Sequence, residues 1–346
     1  FYYFIVIFIM RCLLRLLPLF VLYSCNTIIP DEIVNENNIV YPVADKMDIK
    51  ELLYVDKIGV YDSLICFINR NTEPIFYVYD EDFLYKGSFG MEGHGPYDFQ
   101  FPFFLNTENQ DGIIPVYDVN SASFKSIDIE KALESKTEFL TTCKMPSYLI
   151  GSPNLTMMDD SCFIGNIDSG QGLFFVSQSR LGSVEWIEFP KILQRPKKDF
   201  TVMNMNRIVV NSQSREIISA MGYYNLLFLY DISGTLKKTI QIGENRIEPI
   251  VLGEHYISED NYICCREIVS SGKFVYVMMQ TVKEKDFEKI DNAPSRILVF
   301  DWGLNYLKTY QLPHYSLTFD VDDLRNRIIY TAFNEEGGTD IYSVEL

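Results

Sequence analysis

The densest run of chemistry-bearing side chains lies between Phe89 and Phe99, where Gly90, Met91, Glu92, Gly93, His94, Gly95, Pro96, Tyr97 and Asp98 follow one another. Three glycines allow positive φ and close backbone approach, and Pro96 stiffens the exit. On a rigid scaffold such a loop would present Glu92, His94, Tyr97 and Asp98 for recognition; the plainer reading is a crossover between structural units. The glycine spacing is not that of a nucleotide fingerprint, because no strand–helix–strand unit follows. Catalysis would require a nucleophile with its base, a metal cluster or a carboxylate pair. His94, His255 and His314 are far apart, and Cys66, Cys143, Cys162, Cys264 and Cys265 are odd in number without a C-x-x-C pair. They read as small buried hydrophobes. Asp159-Asp160 and Asp320-Val321-Asp322-Asp323 offer hard oxygen ligands but lack a calcium-loop spacing. They read as solvated turns, so no catalytic residue, metal or cofactor is assigned.

Cys25 carries a different chemistry. Residues 1–24 are apolar apart from Arg11 and Arg15, and Met10 is the first methionine. From Met10 onward the two arginines form a positive segment, Leu16 to Val21 an apolar one, and Leu22-Tyr23-Ser24-Cys25 a small-residue cleavage site, the layout of a secretory signal. The tetrapeptide resembles the lipobox of bacterial lipoproteins, and that resemblance implies cleavage before Cys25 and acylation of its thiol. An uncleaved span would place both arginines near mid-membrane, at a cost of several kcal/mol. The expected organisation is a signal over 1–24, a lipidated acidic tether over 25–38 and one domain over 39–346.

The formal charge of −17, from 47 acidic and 30 basic residues, argues against a nucleic-acid partner. The longest basic grouping, Arg195-Pro196-Lys197-Lys198, reads as a solvated loop. The 47% hydrophobic and 14% aromatic composition supplies a core and favours strands. Alternating runs reach Asp80, Asp118, Asp231 and Asp301, turn, and return over 75–90, 112–129, 225–243 and 296–313. Each aspartate is expected to form its turn by hydrogen-bonding the backbone two residues on. Further strands over 62–70, 160–167, 215–223, 261–268 and 325–333 are expected to supply the inner half of each unit. Units about 50 residues apart, with little helix beyond 129–135 and 281–290, predict an all-β, six-bladed β-propeller of four-stranded blades. The chain ends on a third strand at 340–346, so a strand from 38–49 is expected to complete the last blade and close the ring.

Following an early blade of this pattern, Gly93, Gly95, Pro96, Asp98 and Phe99 resemble the glycine-rich loop of TolB-like six-bladed propeller lipoproteins of Bacteroides-type bacteria. His94 stands where a basic residue is common in that family. The resemblance implies a lipid-anchored protein of the cell envelope, with the outer membrane as the expected site, and a propeller that binds an envelope protein or glycan. The alternative function is a calcium-assisted hydrolase or lactonase. Trp186 and Trp302 are candidates for stacking on sugars or for packing in the core.

Overall fold

The structure, a computed structural model, describes residues 29–105, 112–134, 138–144, 154–159, 162–166, 172–178, 183–193, 205–252, 256–280, 282–286 and 293–346. Cys25, the signal over 1–24, Asp160, His255 and the basic grouping at 195–198 lie outside the described residues.

Six antiparallel sheets form a six-bladed propeller. From the inside outward, blade 1 comprises Lys57–Tyr61, Leu64–Ile68, Phe76–Asp80 and Tyr85–Phe89. Blade 2 comprises Pro102–Phe104, Ile113–Asp118, Ser123–Asp128 and Leu140–Lys144. Blade 3 comprises Asn154–Asp159, Cys162–Asn166, Phe174–Gln178 and Ser183–Ile187. Blade 4 comprises Asn206–Asn211, Glu216–Met221, Leu226–Asp231 and Leu236–Ile242. Blade 5 comprises Cys265–Ser270, Phe274–Met279, Arg296–Asp301 and Tyr306–Gln311. Blade 6 has only Ser316–Asp322, Arg327–Phe333 and Thr339–Glu345 from the end of the chain. Asp45–Lys46 supplies its fourth strand, antiparallel to Tyr342 and Ser343, and closes the ring as expected.

The middle strands are apolar on both faces because each blade is covered by two neighbours. Side chains alternate across a strand, so Ile217 packs toward blade 3 and Ile218 toward blade 5. Six apolar clusters result, one for each junction between blades. The expected helix near 129 is a single turn, Ile129–Leu133, with Asp128 accepting the Lys131 N–H at 3.1 Å.

Two details differ from the sequence expectation. Asp80, Asp231 and Asp301 do form turns at the ends of third strands, accepting from Leu84, Thr235 and Asn305 N–H groups at 2.9, 3.0 and 2.9 Å. Asp118 instead ends a second strand, because blade 2 carries its hairpin one position further in, and it is fully buried. Part of the segment expected as a tether is bound to the ring. Glu32–Val34 pairs in parallel with the outer strand of blade 4, and Ile39–Val40 with that of blade 5. The outer strands offer unpaired backbone groups, and the acidic side chains of the strap find basic partners there: Glu32 meets Lys238 at 2.8 Å and Glu36 meets Arg296.

Candidate functional site

The inner strands surround a central channel of about 1070 Å³. They run side by side in one direction, because equivalent positions meet: Arg207, second in its strand, donates to Asn154 Oδ1 and, at 3.3 Å, to the Arg266 carbonyl. The channel therefore has a leading rim, where these strands begin, and a trailing rim, where they end.

Charge is divided between the rims. Among the described residues, every Lys or Arg lining the channel, namely Lys57, Arg70, Arg207 and Arg266, is at the leading rim or in the turn beside it. Asp56 and Glu267 are the carboxylates there, whereas Asp62, Asp159, Asp322 and Asp323 lie at the trailing rim. Glu267 is ion-paired with Lys57 and also accepts the Phe319 N–H at 3.3 Å, tying blades 1, 5 and 6 together. Arg70 Nη1 lies 3.4 Å from Asp56, and its guanidinium packs in the corner made by the edge-on rings of Phe101 and Phe103, 4.4 and 4.2 Å from their centroids. Burial lowers the pKa of Lys57, Arg70 and Arg207 despite their acidic neighbours.

Halfway along, Asp320 accepts the N–H groups of Val60 at 2.7 Å and Val321 at 2.8 Å, joining the last blade to the first. Burial pushes its carboxyl up to about 7, and Glu267 and Asp323 add to this against the two backbone donors. The ordinary value is 3.8. Between that value and about 7 the folded protein holds a proton that the unfolded chain has lost, so stability declines as pH rises through this window and levels off above it. Melting curves from about pH 5 to about pH 8 are expected to show this decline in the wild type and not in Asp320→Asn. Parallel pH profiles for the two proteins would refute the assignment.

The glycine loop lies on the leading face but does not line the channel. It is the crossover from blade 1 to the inner strand of blade 2. Gly90 has φ of +84°, and a Cβ on Gly95 would come within 2.7 Å of Asp98 Oδ2. Asp98 folds the loop by accepting the Gly95 N–H at 2.8 Å, and Gly93 N–H reaches the Phe99 carbonyl at 3.1 Å. Glu92, His94, Pro96 and Tyr97 are exposed; His94 Nδ1 is 2.9 Å from Gln100 Nε2, and Tyr97 packs on Phe139. Below the loop, Lys125 binds the Asp98 carbonyl and Asp118, the latter at 2.6 Å, and lies 4.5 Å from the centroid of Phe99. The loop reaches the channel indirectly, since the Arg70 side chain donates to the Pro102 carbonyl at 3.1 Å just past it.

The other candidates have structural roles. Asp322 is bound by Arg325 and Arg327. Among the described residues, no three His, Cys, Asp or Glu side chains are grouped to hold a metal ion. His314 packs on Tyr342 and bonds Tyr330 at 2.8 Å. Cys66, Cys162, Cys264 and Cys265 are buried thiols and Cys143 is exposed; burial pushes Cys264 and Cys265 up to about 12. Trp186 packs edge-on against Phe175, whereas Trp302 lines the channel. The residues that sequence reasoning missed are Lys57, Arg207, Arg266 and Glu267. Their signal is a charge placed inside a strand-forming run, as in Cys264-Cys265-Arg266-Glu267-Ile268-Val269.

Together these features define a six-bladed propeller with a water-open channel charged differently at its two ends. Its fold is similar to that of a DUF4221 family member from Bacteroides vulgatus, with a TM-score of 0.63 and 12% identity, covering 88% of this chain and 96% of that one. It is also similar to a Bacteroides fragilis protein described as exported, with a TM-score of 0.54 and 11% identity, covering 91% of this chain and 99% of that one. At these identities the likeness is one of fold. No family model and no curated protein matches the chain.

Proposed function

We propose that the chain is an exported lipoprotein of the TolB-like propeller kind, held on the envelope membrane through Cys25, whose central channel binds an envelope glycan or protein segment. The observation that carries the binding role is the channel, open to solvent and lined by all six inner strands. At about 1070 Å³ it has the size of a small-molecule site, suited to a few sugar rings or an extended peptide and too narrow for a folded domain. Trp302 and Phe103 give it flat apolar surfaces on which rings stack. Export is supported by the Leu22-Tyr23-Ser24-Cys25 signal and by the description of the Bacteroides fragilis neighbour. The outer membrane is the expected site, and multiple acyl chains give stable anchoring where one alone does not.

Two measurements test the reading. Wild-type protein is expected in the membrane fraction with incorporated palmitate, and Cys25→Ser in the soluble fraction without it; identical behaviour of the two would remove the anchor. With a panel of envelope oligosaccharides and peptides, a bound ligand is expected to slow amide exchange in Lys57–Tyr61, Asn206–Asn211 and Cys265–Ser270. Protection confined to residues 92–98 would move the site to the glycine loop.

A further inference from the structure

The leading rim concentrates positive charge in a protein that is otherwise strongly acidic. Its lining carries four cations, Lys57, Arg70, Arg207 and Arg266, against two carboxylates, Asp56 and Glu267. Both carboxylates are engaged, Asp56 by Arg70 and Glu267 by Lys57. The hydrogen-bond acceptors of the Arg207 side chain are neutral, the Asn154 amide oxygen and the Arg266 carbonyl. Among the described residues, Arg70 Nη2 is buried without a hydrogen-bond partner. A desolvated guanidinium with an unused donor is costly unless an acceptor arrives, and planar guanidinium groups match oxyanions in two-point contacts. The Phe101 and Phe103 rings, the Pro102 carbonyl and Asp56 hold the Arg70 guanidinium in place before any ligand binds, which lowers the ordering cost of binding.

We propose that the leading rim binds an oxyanion, a carboxylate, sulfate or phosphate group carried on the ligand that enters the channel, with Arg207 and Arg70 as its principal donors. The inference rests on the channel being the ligand site. It adds the ligand's chemical class and orientation: the anionic group sits at the leading rim and the neutral part extends toward Trp302. At the trailing rim Asp322 is bound by Arg325 and Arg327, and Asp62, Asp159 and Asp323 beside it disfavour an anion, so an acidic ligand is expected to enter from the leading face.

Sodium sulfate, sodium phosphate and glucuronate, each compared with sodium chloride at matched ionic strength and with glucose, are the probes for calorimetry and thermal melting on the full-length protein. Sulfate, phosphate and glucuronate are expected to compete for one site and to raise the melting temperature more than chloride does. Arg207→Gln is expected to bind them about tenfold to a hundredfold more weakly, the loss of one charge-assisted hydrogen bond. Arg70→Met provides a second variant, and Lys86→Gln, which changes an exposed cation on the outer strand of blade 1, is expected to bind like wild type. Anion effects equal to those of chloride, or unchanged in both Arg207→Gln and Arg70→Met, would overturn the proposal. If a neutral saccharide protects the inner strands while the anions do nothing, the channel remains the ligand site and the oxyanion inference alone fails.

Discussion

Lys125→Met is expected to destabilise the protein by about 3–5 kcal/mol, the usual cost of leaving a buried charge without its partner. Asp118 is fully buried and Lys125 nearly so. The Lys125 ammonium joins three groups, the Asp118 carboxylate, the Asp98 carbonyl and the face of Phe99. Asp118 keeps its bonds from the Gln100 and Phe101 N–H groups, the latter at 2.7 Å, and these place the loss toward the lower end of the range. Pairing Lys125→Met with Asp118→Asn is expected to recover much of the loss, because no buried charge is then left uncompensated. Chemical denaturation of the two single variants and the double variant would decide the matter. Additive losses would mean that the pair is not coupled. The glycine loop is expected to loosen in Lys125→Met, with faster exchange at Gly93 and Phe99, because its underside loses the cation that holds the Asp98 carbonyl.

The architecture was legible where burial is two-sided. Runs such as Leu226-Leu227-Phe228-Leu229-Tyr230 and Ile297-Leu298-Val299-Phe300 are strands packed on both faces, and the short last blade called for a partner strand from 38–49, which is Asp45–Lys46. The inner strands were harder to read because one edge faces the channel. Lys57-Ile58-Gly59-Val60-Tyr61 and Asn206-Arg207-Ile208-Val209 interrupt their apolar pattern with the charges that line it. The segments over 62–70, 160–167, 215–223 and 325–333, expected to supply the inner half of each unit, are second strands and so belong to that half, and 261–268 overlaps the inner strand of blade 5. The glycine loop was legible as a loop, and its packing role follows from Asp118. That role depends on a contact between residues 98 and 125 that spacing does not reveal. Asp118 matched the other turn aspartates in sequence because each ends an aromatic run, and it differs in which strand of its blade it terminates and, with that, in its burial.

Val34→Asp is expected to cost about 2–4 kcal/mol and to release the strap from the ring, through loss of a buried apolar side chain and burial of a carboxylate without a donor. Val34 is 3% exposed and packs in the junction of blades 4 and 5 with Ile240 and Ile242. Its carbonyl accepts the Gly243 N–H at 2.8 Å, and further along the Asn38 carbonyl accepts that of Thr309 at 2.8 Å. Exchange at Gly243 and Thr309 is therefore expected to accelerate while Ile218 and Leu229, in the blade interiors, stay protected. Uniform acceleration across the ring would instead make the strap part of the global fold, and unchanged exchange would refute its attachment at Val34. The consequence for display is geometric. With the proposed anchor at Cys25, the six residues to Asp31 span at most about 21 Å, which holds the outer edge of blade 4 near the lipid. Release of the strap as far as Asp45 extends that limit to about 70 Å. On the proposed anchor, the attached strap is expected to turn the outer edge of blade 4 toward the membrane and to leave both ends of the channel open to the side.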